Sequence, residues 1–336
     1  MKFFSKVLVV LIVTTTFVEL IYAWGSWGHQ RINNAAIFAL PEEMRHFFYN
    51  HKDFITEESV VPDLRKYTIN DKAEFARHYI DLEDYTTGDI DLLPKTMKEA
   101  KEKYDDKTLQ KNGILVWYIQ EMMDKLTKSF KDKRKSEILF LAADLGHYIG
   151  DANMPLHTSS NHDGQLTNQR GIHAFWESQI PELFGANYSF AVQPAVYIPD
   201  VTKESWNIIR HTFSLRDSVL NIERQVHSTF DTSRIFVRDA NGAVVKNKFG
   251  ATTHTKEYAE AYHKAMGGMV ERQLHHAVQD LANLWYTAWV NAGKPDLSTL
   301  DPQELTDRNR KAYRKDNKLI KKGKLFGFKT EDEFTQ

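Results

Sequence analysis

An all-α fold, one multi-helix domain with at most a short β-hairpin, is what this 336-residue sequence predicts. Three observations carry the prediction. Apolar residues recur at helical spacing through several long stretches, strand-like alternation is rare, and no internal repeat or Pro/Gly/Ser-rich linker divides the chain. The composition, 42% hydrophobic and 26% charged, is that of an ordinary globular domain and excludes a disordered, collagen-like or disulfide-scaffold protein.

The elements follow in chain order. Met1 to Lys6 carries two lysines and no acid, Val7 to Val13 is continuously apolar, and Tyr22-Ala23 offers a small-residue cleavage point. Residues 1–23 therefore read as a secretory signal peptide, giving a secreted or periplasmic protein that begins at Trp24. A membrane anchor is the alternative, but the run falls short of the roughly 20 residues a span needs and no basic stop-transfer cluster follows. Helical spacing then marks His29 to Leu40, Gly113 to Phe130, Ser136 to Asp151, Gly171 to Phe184 and Lys203 to Phe230. Phe236 to Lys248 is the best strand candidate, with Asn241-Gly242 as a hairpin turn. The last and longest helical stretch runs from Thr255 to Asn291, where Gly293 and Pro295 supply a stop. One helical domain is thus expected over 24–295. Residues 296–336 form a basic tail, nine Lys/Arg against one acid between Arg308 and Lys324, expected to be a poorly ordered, solvated terminus.

Charge is nearly balanced, 44 Lys+Arg against 45 Asp+Glu, so bulk charge points to no polyanionic partner. The chain has 14 His and no Cys, which excludes every thiolate metal site and every Cys nucleophile. Any metal must be held by imidazole, carboxylate or backbone atoms.

The histidines are not scattered. His147 and Asp151 are four apart in a helical stretch and project from one face. Pro155 cannot continue that helix, so the chain turns there and can return His157 to the same place. His173 and Glu177 repeat the four-residue spacing. A single His-x-x-x-Asp pair is usually a surface ion pair, but two such units plus His157 lie within apolar stretches where an unpaired carboxylate would be costly. Paired imidazole and carboxylate donors are a standard thiol-free way to hold zinc. At the mature start, Trp24-Gly25-Ser26-Trp27-Gly28-His29 offers a terminal amine and carbonyl able to chelate a metal, though on the residues alone it reads more simply as a frayed helix start.

The ordered set Trp24, His29, Asp63, His78, His147, Asp151, His157, His173 and Glu177 resembles the trinuclear zinc phosphoesterases, which comprise the single-strand-specific nucleases (the S-one/P-one class) and zinc-dependent phospholipase C. The resemblance runs from Trp24 to Glu177 and more weakly into the helix ending at Gly293. It implies three Zn2+ per chain. One would take Asp63, His78, His147 and Asp151; a second, His157, His173 and Glu177; the third, the Trp24 amine and carbonyl, His29 and again Asp151. It implies the same all-α fold; a monomer is expected, and no protein partner is implied.

Within that superfamily the Trp-Gly-x-x-Gly-His opening resembles the nucleases, as does Asp63-x-x-Lys66, where the basic residue contacts phosphate. His78-Tyr79-Ile80-Asp81 resembles the nuclease segment in which an aromatic ring stacks on a base and the Asp hydrogen-bonds it; on their own residues Tyr79 and Asp81 also fit a core aromatic and a turn cap. Glu177 and the short interval from His157 to His173 lie closer to the phospholipases. The implied activity is endonucleolytic cleavage of single-stranded DNA or RNA to 5′-phosphorylated products, with a hydroxide bridging two zincs as nucleophile. Asp63 would orient the nucleophile or take its proton, and Lys66 would offset charge on phosphorus. Phospholipase C action on a lipid headgroup is the alternative, and a non-catalytic zinc- or polyanion-binding protein the second.

Overall fold

The structure is a computed structural model that describes residues 25–69, 71–86, 88–248, 250–300, 307–324 and 334. The signal-peptide reading and Trp24 lie outside the described residues.

The fold is all-α, as the sequence predicts. Helices α1 (Gly25–Ala36), α2 (Glu42–Asn50), α3 (Lys52–Glu58) and α4 (Val61–Thr68) open the domain. Short helices α5 (Lys72–Phe75), α6 (Leu82–Tyr85), α7 (Met97–Lys103) and α8 (Asp106–Asn112) follow. The central pair is α9 (Leu115–Lys131) and α10 (Lys135–Ala152). Then come α11 (Ile172–Ala174), α12 (Ile180–Phe184), α13 (Val201–Thr229), α14 (Lys256–Ala265), α15 (Met269–Asn291) and α16 (Asp307–Ile320). Starts are fixed by side chains that accept from orphan N–H groups: Asp200 caps α13, Thr255 caps α14, and Thr96 with Glu99 forms a capping box on α7.

Helix α10 is the centre. From Ala142 to Ala152 every residue is buried, because α1, α3, α9 and α15 pack around it. A helix that is apolar all round has no solvent face to keep. Trp285 of α15 donates its indole N–H to the Ala142 carbonyl at 3.1 Å, and one continuous apolar cluster runs from Trp27 through α9, α10 and α15 to Ile320. Among the described residues no helix is long and apolar enough to cross a membrane.

Four features differ from the sequence reading. The stretch Thr255 to Asn291 is two helices, broken where Gly267 (φ 56°) and Gly268 (φ 82°) adopt left-handed backbone that ends α14 and starts α15. Gly171 to Phe184 is not one helix either: α11 passes into a π-helical turn over Phe175–Gln179 before α12. The hairpin candidate forms isolated antiparallel bridges, Phe236 with His254, Arg238 with Val244 and Lys246 with Thr252, rather than a regular strand pair. Finally, part of the basic tail is ordered as α16, because Tyr313, Asp316 and Ile320 give it an inward face that charge counting hides.

Candidate metal centre

Seven separate parts of the fold deliver one cluster. His29 comes from the second turn of α1, Asp63 from the first turn of α4, and His78 from the turn after α5. Helix α10 presents His147 and Asp151, one turn apart on the same face. The helix ends at Ala152, a 3-10 turn over Pro155–Thr158 reverses the chain, and His157 re-enters. His173 sits in α11 and Glu177 in the π-helical turn. All eight are buried.

Asp151 lies in the middle. Its Oδ2 is 2.9 Å from His78 Nδ1 and 3.4 Å from His147 Nε2; its Oδ1 is 3.6 Å from His29 Nε2 and 4.0 Å from His157 Nδ1. Asp63 Oδ1 is 3.6 Å from His78 Nδ1 and 3.7 Å from His147 Nε2. Glu177 Oε1 lies 3.0 Å from His173 Nε2 and its Oε2 3.4 Å from His157 Nε2. Three groups result, each with donor atoms within 4.8 Å of one another: His29, His147 and Asp151; Asp63, His78 and His147; His157, His173 and Glu177. The third group is the His157, His173 and Glu177 set that the resemblance implies; the other two share His147, where the resemblance implies that Asp151 is the shared ligand.

Whether this donor set fits metal is decided by what lies behind it. His147 Nδ1 is 2.8 Å from the Ser59 carbonyl, His157 Nδ1 is 2.5 Å from the His78 carbonyl, and His173 Nδ1 is 2.8 Å from the His162 carbonyl. A carbonyl only accepts, so each Nδ1 carries the proton and each Nε2 lone pair faces inward. His78 is anchored the other way round, with Nε2 3.3 Å from Glu74 Oε1 and Nδ1 inward. That pattern, one ring nitrogen tied to protein and the other aimed at a common point, is what metal ligation requires. The inward atoms are under-partnered: both His29 nitrogens, Asp151 Oδ1, His157 Nε2, His173 Nε2 and both Glu177 oxygens are buried without a hydrogen bond. Leaving so many polar atoms unmet is costly unless a cation meets them. The all-nitrogen-and-oxygen donor set suits zinc.

The charges have reshaped one another. Burial alone would raise the Asp151 carboxyl, but His147 and His157 beside it hold it well below the usual carboxylate range. Burial, with His147 next to it, pushes the His29 imidazole well down; the two rings stack at 3.8 Å. Behind His78, burial works against the Glu74 carboxylate, yet hydrogen bonds with His78 and from the Tyr148 hydroxyl bring it down to about 2. Arg77 Nη1 donates to Glu74 Oε2 at 2.8 Å, and Arg65 Nη2 is 2.6 Å from Asp144 Oδ2.

A cavity of about 310 Å³ opens onto this cluster, walled by Lys66, Tyr79, Asp81, Lys111 and His162 beside His78, His157 and His173. Lys66 Nζ is 2.6 Å from Asp63 Oδ1. Tyr79 is half-buried, its hydroxyl donating to the Lys111 carbonyl at 2.9 Å. Gly113 (φ 81°) makes room for it, since a Cβ there would lie 2.1 Å from the Tyr79 carbonyl oxygen and 2.7 Å from its ring. Burial, then Asp84 and Glu83, pushes the Asp81 carboxyl up to about 7. The structure thus brings the three non-ligand residues named from the sequence, Lys66, Tyr79 and Asp81, to one cavity.

Sequence reasoning missed Glu74, Gly150, Lys111 and His162. Glu74 carried a signal, being four residues before His78. Gly150 did too, as a glycine inside an otherwise apolar helix next to Asp151; a Cβ there would be 2.9 Å from His29 Nδ1. Lys111 and His162 carried none, because only the tertiary fold brings them to the cavity.

A search of curated proteins finds no match to this chain. The family model described as S1/P1 nuclease matches residues 24–288, a span that holds every candidate ligand together with Lys66, Tyr79 and Asp81. With most of its length matched, the chain belongs to the S1/P1 nuclease family, phosphodiester-cleaving hydrolases of the zinc phospholipase C/nuclease superfamily.

Proposed function

We propose that this nuclease is a secreted three-zinc endonuclease that cuts single-stranded DNA or RNA and leaves 5′-phosphorylated ends. The observation that carries the reading is the cavity itself: an aromatic ring, a carboxyl and an ammonium share it with His78, His157 and His173, members of two of the three convergent His/carboxylate groups. His29, Asp151 and the Trp24 amine and carbonyl would hold one zinc, Asp63, His78, His147 and Asp151 another, and His157, His173 and Glu177 the last. Bound zinc supplies Lewis acidity at the phosphoryl oxygens and lowers the pKa of attacking water.

The chain's own residues do the rest. Asp63 is placed to orient the attacking water and accept its proton at a carboxylate oxygen. The Lys66 ammonium, next to Asp63, meets the non-bridging oxygens as charge builds on phosphorus. Tyr79 offers a ring face to a base, and its hydroxyl is pinned at Lys111, so the platform is held before substrate arrives. Asp81 is within the same cavity to hydrogen-bond that base. A base stacked in a duplex cannot reach Tyr79 without unpairing, which favours single strands.

Glu177 and the short segment 158–172 favour phospholipid headgroups as the competing substrate. The deciding assay compares single-stranded nucleic acid with phosphatidylcholine on zinc-replete mature protein, with zinc counted in the same preparation. Cleavage of the nucleic acid with about three zincs per chain is expected. Phosphatidylcholine turnover without nuclease activity would replace the substrate assignment, and a zinc content near zero would overturn the metal assignment. One residue added before Trp24 should cost the third zinc; full retention would remove Trp24 from the ligand set.

A further inference from the structure

Helix α16 is docked on the protein by one face and displays cations on the other. At 100° per residue, Tyr313, Asp316 and Ile320 fall within about 60° of one another. That stripe is the docked one. Tyr49 donates its hydroxyl to Asp316 Oδ2 at 2.7 Å, Arg45 Nη1 donates to the Tyr313 hydroxyl at 3.2 Å, and Ile320 is buried in the core cluster. The Tyr313 ring meets Tyr49 edge-on at 4.9 Å and lies parallel to Phe38 at 6.5 Å. Past its end, Phe190 N donates to the Gly323 carbonyl at 2.9 Å.

The opposite arc, about 120° wide, holds Lys311, Arg314, Lys315, Lys318, Lys321 and Lys322. All six are exposed, and among the described residues none has an ion-pair partner. The acid of this segment, Asp316, is turned inward and spent on Tyr49. The result is a stripe about 16 Å long, held by tertiary contacts and not by a flexible tail. No residue of α16 belongs to the exposed large hydrophobics, so its apolar side is used on the protein and none is left for a bilayer.

We infer that this stripe is an exosite for the phosphate backbone of a single-stranded nucleic acid, gripping the strand away from the scissile bond. The inference rests on the nuclease reading above. Its place fits: α16 packs at Phe38, and none of its described residues lines the cavity, so it grips the strand outside the cleft where the nucleotide is cut. It would act on long strands and not on short ones. Cations at this spacing bind phosphates without reading sequence, and the grip is sensitive to salt.

The test is the variant Lys311→Gln/Arg314→Gln/Lys315→Gln/Lys318→Gln, with Lys321→Gln/Lys322→Gln as a milder second. Glutamine keeps helix propensity, and an unchanged circular-dichroism spectrum confirms the fold. On a long oligodeoxythymidine the KM should rise about tenfold at low salt, and the salt slope of log(kcat/KM) should shrink by about 2, as for three lost phosphates. On a dinucleotide, kcat/KM should stay within about twofold of the parent, because a substrate held within the cavity has no contact with α16. Equal KM and salt slope on the long strand would overturn the exosite while leaving the nuclease reading standing. Should the parent cut neither substrate, the nuclease reading fails, and anisotropy of the labelled oligonucleotide on parent and variant still decides whether α16 binds it. Loss of binding to phosphatidylglycerol vesicles, with nucleic-acid KM unchanged, would overturn the exosite in favour of a membrane surface.

Discussion

Replacing Glu74 by Gln tests whether the carboxylate behind His78 holds the metal centre together or merely fills space. Gln preserves volume and can still accept from the Tyr148 hydroxyl, but it carries no charge to set against Arg77 and His78. The Glu74 carboxyl falls from 4.5 to about 2 in the folded protein. At about 1.4 kcal/mol per pKa unit that is about 3 kcal/mol of stability, reduced to about 2 because the Arg77 partner is partly in water. The sign is fixed: a depressed folded pKa contributes fully above 4.5 and is lost as pH falls toward 2. Zinc-free Glu74→Gln protein should therefore be about 2 kcal/mol less stable than the parent in urea at neutral pH, and the deficit should close as pH approaches the folded pKa. With zinc present, freeing the His78 ring should weaken one of the sites by about 10- to 100-fold against a competing chelator. A deficit that does not change with pH, together with unchanged zinc affinity, would show that Glu74 only packs.

The remaining predictions concern geometry and substrate. Gly→Ala inside a helix usually stabilises by about 1 kcal/mol, yet Gly150→Ala should destabilise and lower the zinc count, because the new methyl meets His29 Nδ1 at 2.9 Å; a raised melting temperature with full zinc would contradict this. Tyr79→Ala should raise KM for single strands by roughly 5- to 100-fold, the worth of one base stack, with a small phosphodiester ester unaffected; equal losses on both substrates argue against stacking. Burial pushes the Asp81 carboxyl up to about 7, so a base that offers N–H donors should bind better as pH rises through that value. Asp81→Asn should flatten that limb of the KM profile, and an unchanged limb would assign it to another group.

Much of this was legible in the sequence because the chemistry leans on helical spacing. His147 with Asp151 and His173 with Glu177 are pairs at four residues, and Pro155 announces the turn that returns His157. Apolar periodicity likewise located α9, α10 and α13 to within two residues at either end. It failed where backbone conformation overrides it. Thr255 to Asn291 keeps its apolar spacing on both sides of Gly267-Gly268, so periodicity runs through the break that the glycine pair marks and their positive φ makes. The hydroxyl of Tyr49 could not be known to claim Asp316, and without that contact and the Tyr313 stack, residues 307–320 read as solvated charge. Lys111 and His162 were invisible for the same reason: nothing local marks a residue that reaches the cavity from another element.

The site cannot be separated from the core that carries it. Gly146 and Gly150 lie one turn apart on α10, each next to a residue of the centre, His147 and Asp151. A Cβ on Gly146 would sit 1.8 Å from Asn33 Oδ1, and one on Gly150 would strike His29. Asn33 in turn donates to the Ala143 and Ile55 carbonyls, both at 3.1 Å, and so ties α1 to α10 and α3. Two absent side chains therefore let α1 approach α10 closely, and that approach is what places His29 within 3.6 Å of Asp151. Packing density in such a core leaves no slack to absorb a methyl group. The same register fixes α1 against α10, and the close approach of Asn33 to Gly146 locks the helix that carries His29.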